Sequence, residues 1–250
     1  MKMRKMNVVL ALMVAGIMLL PFAAGAAEIV NIDFESAGGY TLDADIPTGS
    51  PLSGGEQWAL DPSDGSAGSV KIKAPVAPTP SQWDSQCMEY ECTSTAYMDF
   101  KESNTLTTGY SDLTLECDLI LVDIPAQNFQ ICLLNADAED NDVCKAIVRN
   151  DMFALSCGDG NQKGGEATAV NTLYRVSLSY KSGTGVWMKI SKDPYGTNVE
   201  VWDPGVFTES HSGPVAGFSV YTGNLSHAQI DNIRVISPSG TTSVDEWRLY

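Results

Sequence analysis

The chain has 250 residues, 31 of them acidic and 15 basic, for a formal net charge of −16. A charge of that sign repels phosphate backbones and anionic bilayer surfaces, so binding to nucleic acid or to an acidic membrane is excluded as a leading function. It suits solubility outside a cell and the holding of hard cations through carboxylates.

Residues 1–26 read as a signal peptide. Lys2, Arg4 and Lys5 form the charged start, residues 8–20 an apolar run of 13, and Ala24-Gly25-Ala26 a small-residue cleavage site. The run is too short to span a bilayer, and no later stretch could span one. Export therefore places the mature chain in a secreted, periplasmic or extracellular setting. Removing the leader leaves 12 basic against 31 acidic side chains, a net charge of −19. Residues 27–236 are expected to form a single β-sandwich domain, and residues 237–250 a polar tail.

Strand and turn patterns fill the mature chain, and no window keeps a helical period. The opening stretch Glu28-Ile29-Val30-Asn31-Ile32-Asp33-Phe34-Glu35 is short and β-branched. Residues 36–69 are rich in Gly and Pro, with strand character only at Gln57-Trp58-Ala59-Leu60. Val70-Lys71-Ile72-Lys73 alternates, and three prolines in residues 74–81 mark a rigid loop. Residues 83–95 read as a cysteine-clipped loop, after which residues 96–100 resume a strand.

The clearest strand is residues 113–122. Leu113, Leu115, Cys117, Leu119 and Leu121 share one face, with Thr114, Glu116 and Asp118 on the other. Residues 128–135 and 143–149 form a hairpin across an acidic turn, residues 152–156 a further strand, and residues 158–168 a glycine-rich loop. Tyr174-Arg175-Val176-Ser177-Leu178-Ser179-Tyr180 alternates almost perfectly and turns at Gly183 and Gly185 into Val186-Trp187-Met188-Lys189-Ile190. Residues 199–202, 215–222 and 228–236 complete the set. Roughly 11 to 13 mostly antiparallel strands indicate a two-sheet sandwich or jelly roll, closed by its first and last strands.

Six cysteines (Cys87, Cys92, Cys117, Cys132, Cys144 and Cys157) in an exported chain favour disulfides. The expected pairs are Cys87–Cys92 across a tight loop and Cys132–Cys144 across a hairpin, which leaves Cys117 with Cys157. The spacings match no zinc motif.

Asn31-Ile32-Asp33-Phe34-Glu35, the hairpin of residues 174–190 and Gln229-Ile230-Asp231-Asn232-Ile233-Arg234-Val235 together resemble the concanavalin A-like (LamG-like) jelly rolls of secreted bacterial proteins. The resemblance implies two curved antiparallel sheets with adjacent terminal strands. It also implies a carbohydrate-leaning role, since the family spans lectins, carbohydrate-binding modules, glycoside hydrolases, polysaccharide lyases and domains without known activity.

Three sites follow. A structural calcium ion needs six to eight oxygens. Asp33, Glu35 and Asp231 would supply some of them if the terminal strands pair, as the resemblance supports. The acidic turn Asp137, Glu139, Asp140 and Asp142 is a rival, but it lacks the glycine and distal glutamate of an EF-hand loop. Glu116 and Asp118, at i and i+2 on one strand face, lie about 6.5–7 Å apart and could divide acid and base roles in glycoside hydrolysis. Glu116-Cys117-Asp118 also looks like part of the Glu-x-Asp-x-x-Glu motif of jelly-roll glucanases. Leu121 stands where the third carboxylate belongs, and a polar outer face with Glu116 answering Arg175 or Lys189 is the favoured alternative. Trp187, beside Lys189 on a polar strand face, could stack on a sugar ring with Arg175 nearby; Trp83 and Tyr90 are further aromatic candidates.

The expectation is a secreted, non-catalytic sandwich that binds a polysaccharide or other surface polymer. A glycoside hydrolase or polysaccharide lyase of the same fold, or a structural envelope protein, are the alternatives.

Overall fold

The computed structural model describes residues 26–60, 68–76, 83, 85–92, 97–102, 105–106, 108–123, 129–135, 142–149, 152–157, 162–208, 213–223 and 226–238. The expected signal peptide, nearly all of the polar tail and most of the acidic turn lie outside these residues. None of the described helices is long and apolar enough to cross a membrane.

The described chain is almost entirely antiparallel strand, in two sheets. One sheet contains β1 (Ala27–Ile32), β3 (Gly68–Lys73), β4 (Cys87–Cys92), β6 (Asp112–Asp123), β11 (Leu173–Lys181), β12 (Gly185–Lys192), β13 (Val199–Trp202) and β15 (His227–Ser237). Its order is β13-β12-β11-β6-β15-β4-β3, with β1 also paired to β15. The second contains β2 (Trp58–Leu60), β5 (Tyr97–Glu102), β7 (Phe129–Asn135), β8 (Asp142–Arg149), β9 (Met152–Cys157), β10 (Gln162–Ala167) and β14 (Val215–Gly223), in the order β10-β9-β8-β7-β14-β5-β2. The first and last strands pair, as expected from their sequences.

Period-two alternation builds the core. Leu113, Leu115, Cys117, Leu119 and Leu121 of β6 turn inward with Val176 and Leu178 of β11, Met188 and Ile190 of β12, and Ile230, Ile233 and Val235 of β15. Phe129, Ile131 and Leu133 of β7, Phe153 and Leu155 of β9, and Phe218 and Val220 of β14 meet them from the other sheet. Each such side chain, fully buried, contributes about 1.5–3 kcal/mol. The long segment between β1 and β2 is pinned by polar bonds: Trp58 Nε1 donates to Tyr40 Oη (2.9 Å), which donates to Glu56 Oε1 (3.0 Å).

Two segments read as loops are strands. Residues 87–92 form β4, between β3 and β15, with Met88, Tyr90 and Cys92 in the core and Cys87 in a smaller cluster on the outer face with Trp83, Ile120 and Leu173. Residues 162–167 form edge strand β10, where Gly165 admits the Trp202 indole of β13, which a Cβ would strike. Its glycine serves close packing rather than a turn.

The six cysteines are all buried, and none of the three expected bridges is formed. Cys87 and Cys92 stand five positions apart on one strand and so face opposite ways. Cys132 lies opposite Lys145, while its expected partner Cys144 lies opposite Leu133, so these two also face opposite sides of their sheet. Cys117 and Cys157 belong to different sheets.

Candidate functional site

β15 changes neighbours midway along its length. Residues 227–230 pair with β4, and residues 233–237 pair with β1. The seam falls at Asp231-Asn232, where the register to β6 also shifts and Asn232 takes a left-handed backbone (φ 51°). This is a β-bulge, which re-aims the side chains beside it. Asp231 accordingly faces outward opposite Asp118 of β6, not inward with Ile233 and Val235 as strict alternation suggests. Across the seam β1 ends early, because Phe34 is left-handed as well (φ 56°). That conformation is strained for a bulky residue; here the ring is fully buried against Tyr40 and Trp58, which holds it.

Asp118 is fully buried at the centre of a polar network. Arg175 of β11 grips it bidentately, Nε to Oδ1 at 2.9 Å and a terminal nitrogen to Oδ2 at 3.2 Å. Trp83 Nε1 (3.3 Å), Asn232 Nδ2 (3.3 Å) and the Tyr195 hydroxyl also donate to Oδ2. The Tyr195 ring lies 4.9 Å from the Arg175 guanidinium carbon, within cation–π range. Burial, and then Asp118, pushes the Tyr195 hydroxyl pKa well above its ordinary value. The network ties two loops to the outer face of the sheet through one carboxylate.

Asp231 lies beside it, 2% exposed. Burial, with the nearby carboxylates Asp118, Asp33 and Glu35, pushes its pKa up to about 9, although the Asn232 N–H donates to Oδ1 at 2.8 Å. At neutral pH it is a neutral acid. Glu35 faces β4, accepting from the Ser85 N–H (2.7 Å) and Gln86 N–H (2.9 Å) at Oε1 and from the Ser85 hydroxyl (2.8 Å) at Oε2. Asp33 Oδ1 accepts from the Glu35 N–H at 3.2 Å. The fold therefore brings the three expected calcium ligands to one seam, with Glu35 and Asp231 accepting from protein donors at both oxygens and the exposed Asp33 accepting at Oδ1. Among the described residues no three Asp, Glu, His or Cys side chains group to hold a metal ion. Protonation of Asp231 relieves the repulsion among these carboxylates.

Glu116, one row along the same face, accepts from Ser177 Oγ (3.1 Å) and Arg234 (2.8 Å). The answering cation is Arg234, not Arg175 or Lys189. Both Glu116 and Asp118 are thus bonded internally, Asp118 fully buried and Glu116 partly so. Trp83 (1% exposed) and Tyr90 (fully buried) are also closed to a ligand.

Trp187 is partly exposed on the outer face of β12, opposite Ser179, with Lys189 exposed two positions on and opposite Ser177. Lys189 Nζ lies 3.2 Å from both Glu200 and Asp203. Tryptophan, the half-buried Ser177 and a paired lysine thus share the outer face, bordered by the Arg175–Tyr195 pair, while Ser179 is buried beneath it with its hydroxyl bonded to Thr114 (2.8 Å).

Sequence reasoning marks Tyr195 only as a loop aromatic and misses its bond to Asp118, and it misses Asn232, Ser85 and Gln86 altogether. The dipeptide Asp231-Asn232 inside a β-branched run is a bulge signal, and Asp193-Pro194-Tyr195-Gly196 is a turn that lifts its tyrosine back over the sheet.

No family model and no curated protein sequence matches the chain. Solved structures do. The structure titled as a conserved carbohydrate esterase from Shiga toxin-encoding bacteriophage phi24B is 9% identical, with a TM-score of 0.52 over 85% of this chain and 99% of that one. The Ca2+-bound exoplasmic/lumenal domain of VIP36 is 10% identical, with a TM-score of 0.52 over 78% and 88%. A botulinum neurotoxin type C structure, whose title describes interaction with two ganglioside molecules, is 8% identical, with a TM-score of 0.53 over 88% and 50%. The chain spans 17% of the length of a sialidase that it also matches. At these identities the likeness carries the fold alone: an antiparallel two-sheet jelly-roll sandwich.

Proposed function

We propose that the chain is an exported, non-catalytic β-sandwich that binds a polysaccharide on the outer face of its eight-stranded sheet. The observation that carries this reading is the partly exposed Trp187 on one outer strand face with Lys189, next to Ser177. An indole stacks on the apolar C–H face of a sugar ring, and neighbouring hydroxyls and ammonium groups hydrogen-bond to its substituents. The carbohydrate esterase and the ganglioside interaction named in the titles of structures with the same fold support the choice of ligand class. The engaged oxygens of Glu116 and Asp118 favour binding over hydrolysis.

The test incubates the chain with a panel of polysaccharides, with and without calcium, and measures retained protein and released oligosaccharide in the same tubes. Retention without products, reduced at least tenfold in Trp187→Ala at unchanged thermal stability, is the expected result. Products that vanish in Glu116→Gln would replace this reading with an enzyme. Retention that survives Trp187→Ala would move the site elsewhere.

A further inference from the structure

In the second sheet, β8 and β9 set Cys144 directly opposite Cys157. Both side chains belong to the apolar core between the sheets, at 0% and 2% exposure. Directly opposed residues of antiparallel strands have Cα atoms about 4.5–5.5 Å apart, inside the roughly 4.4–6.8 Å range of disulfides. Cys132 faces the other side of this sheet, Cys87 the outer side of the first, and Cys92 and Cys117 lie on the first sheet, across the core. Register alone therefore singles out one pair among the six.

We propose that Cys144 and Cys157 form a cross-strand disulfide that staples the β8–β9 hairpin when the chain folds in an oxidising compartment. The bond forms between the two Sγ atoms, which lose two protons and two electrons. A small-molecule disulfide such as oxidised glutathione accepts them and leaves as two thiols. Because both sulfurs are buried once the sheets close, oxidation belongs to the folding chain, and the finished bond is shielded from reductant. The bridge encloses the 12 residues between the two cysteines, a local loop that closes before the long-range pairing of β7 with β14.

The test folds the full chain in a glutathione redox buffer, alkylates remaining thiols with iodoacetamide under denaturing conditions, and maps peptides by mass spectrometry without reduction. The expected result is one cross-linked peptide pair joining Cys144 to Cys157, with Cys87 and Cys117 alkylated. Alkylated Cys144 or Cys157, or either one linked elsewhere, overturns the proposal. As a second reading, refolding with reductant should lower the denaturation midpoint of the wild type but leave that of Cys157→Ser unmoved. A wild-type midpoint indifferent to reductant also overturns it.

Discussion

Replacing Asp231 with Asn keeps the shape of the side chain and the acceptor for the Asn232 N–H, and removes only the ionisation. In the folded chain the Asp231 pKa is about 9; in the unfolded chain it returns to about 3.9. A carboxyl whose folded pKa is raised contributes stability that is fully present below pH 4 and is lost as pH rises through the folded value. At pH 7 the unfolded chain has released this proton and the folded chain has not. Three pH units at about 1.36 kcal/mol each give a cost of about 4 kcal/mol. Water entry and local relaxation reduce the observable part to about 2–4 kcal/mol. Asp231→Asn should therefore match the wild type near pH 4 and exceed it by that amount at pH 7, with the gap still widening towards pH 9. Urea denaturation of both proteins from pH 4 to 9 measures the gap directly, and taking the difference cancels the titration of the other carboxylates. A difference that stays flat between pH 5 and 8, or a variant that is weaker throughout, would refute a neutral buried acid at the seam.

The same face yields three further expectations. Asp118→Ala removes the acceptor shared by Arg175, Trp83, Tyr195 and Asn232. It should cost about 3–5 kcal/mol, as breaking a buried ion pair does, and should red-shift the Trp83 emission as that loop opens; unchanged fluorescence would count against the anchoring role. His227 is bonded to Glu89, which raises its pKa despite partial burial. Its contribution is present below the ordinary histidine value and lost as pH rises through the folded one, so His227→Gln should weaken the fold at pH 6 and not at pH 8.5; proton NMR of the imidazole gives the folded value independently. Gly185 has φ 137°, and a Cβ there would collide with the carbonyl oxygen of Phe207, which accepts the Val186 N–H. Gly185→Ala should cost about 2–3 kcal/mol by calorimetry, and a cost under 0.5 kcal/mol would mean that the Val186–Phe207 bridge yields freely.

The strands that were plain in the sequence are those whose two faces differ most. β6, β11 and β12 alternate Leu, Val or Met with Thr, Ser, Glu or Lys because one face meets the core and the other meets water. β4 was obscured because its outer face is also covered: Cys87 packs with Trp83, and Glu89 bonds to Gln229, so Cys-Met-Glu-Tyr-Glu-Cys carries no clean contrast. β10 was obscured for the opposite reason, since an edge strand with Gly164 and Gly165 buries little of its own. The site divides along the same line. That Asp33, Glu35 and Asp231 converge follows from pairing the chain's two ends. Their bonding to protein donors depends on a bulge and on two loops that no strand period encodes.

The seam also explains why the acidic residues gather where they do. One strand cannot pair with β4 and β1 along a single straight edge without a break, because the two meet it end to end. At the break, backbone N–H groups of Ser85, Gln86, Glu35 and Asn232 need acceptors, and carboxylates supply them. Asp33, Glu35 and Asp231 thus satisfy a join in the sheet, and the like charge that results is absorbed by holding Asp231 neutral. Arg175, which could have neutralised Asp231, is instead committed to Asp118, where it lies against the Tyr195 ring over the sheet. On the exposed surface Lys189 is paired instead with Glu200 and Asp203. Changes at the join should therefore act on stability, Asp118→Ala lowering it and Asp231→Asn raising it, while polysaccharide retention by the folded protein follows Trp187.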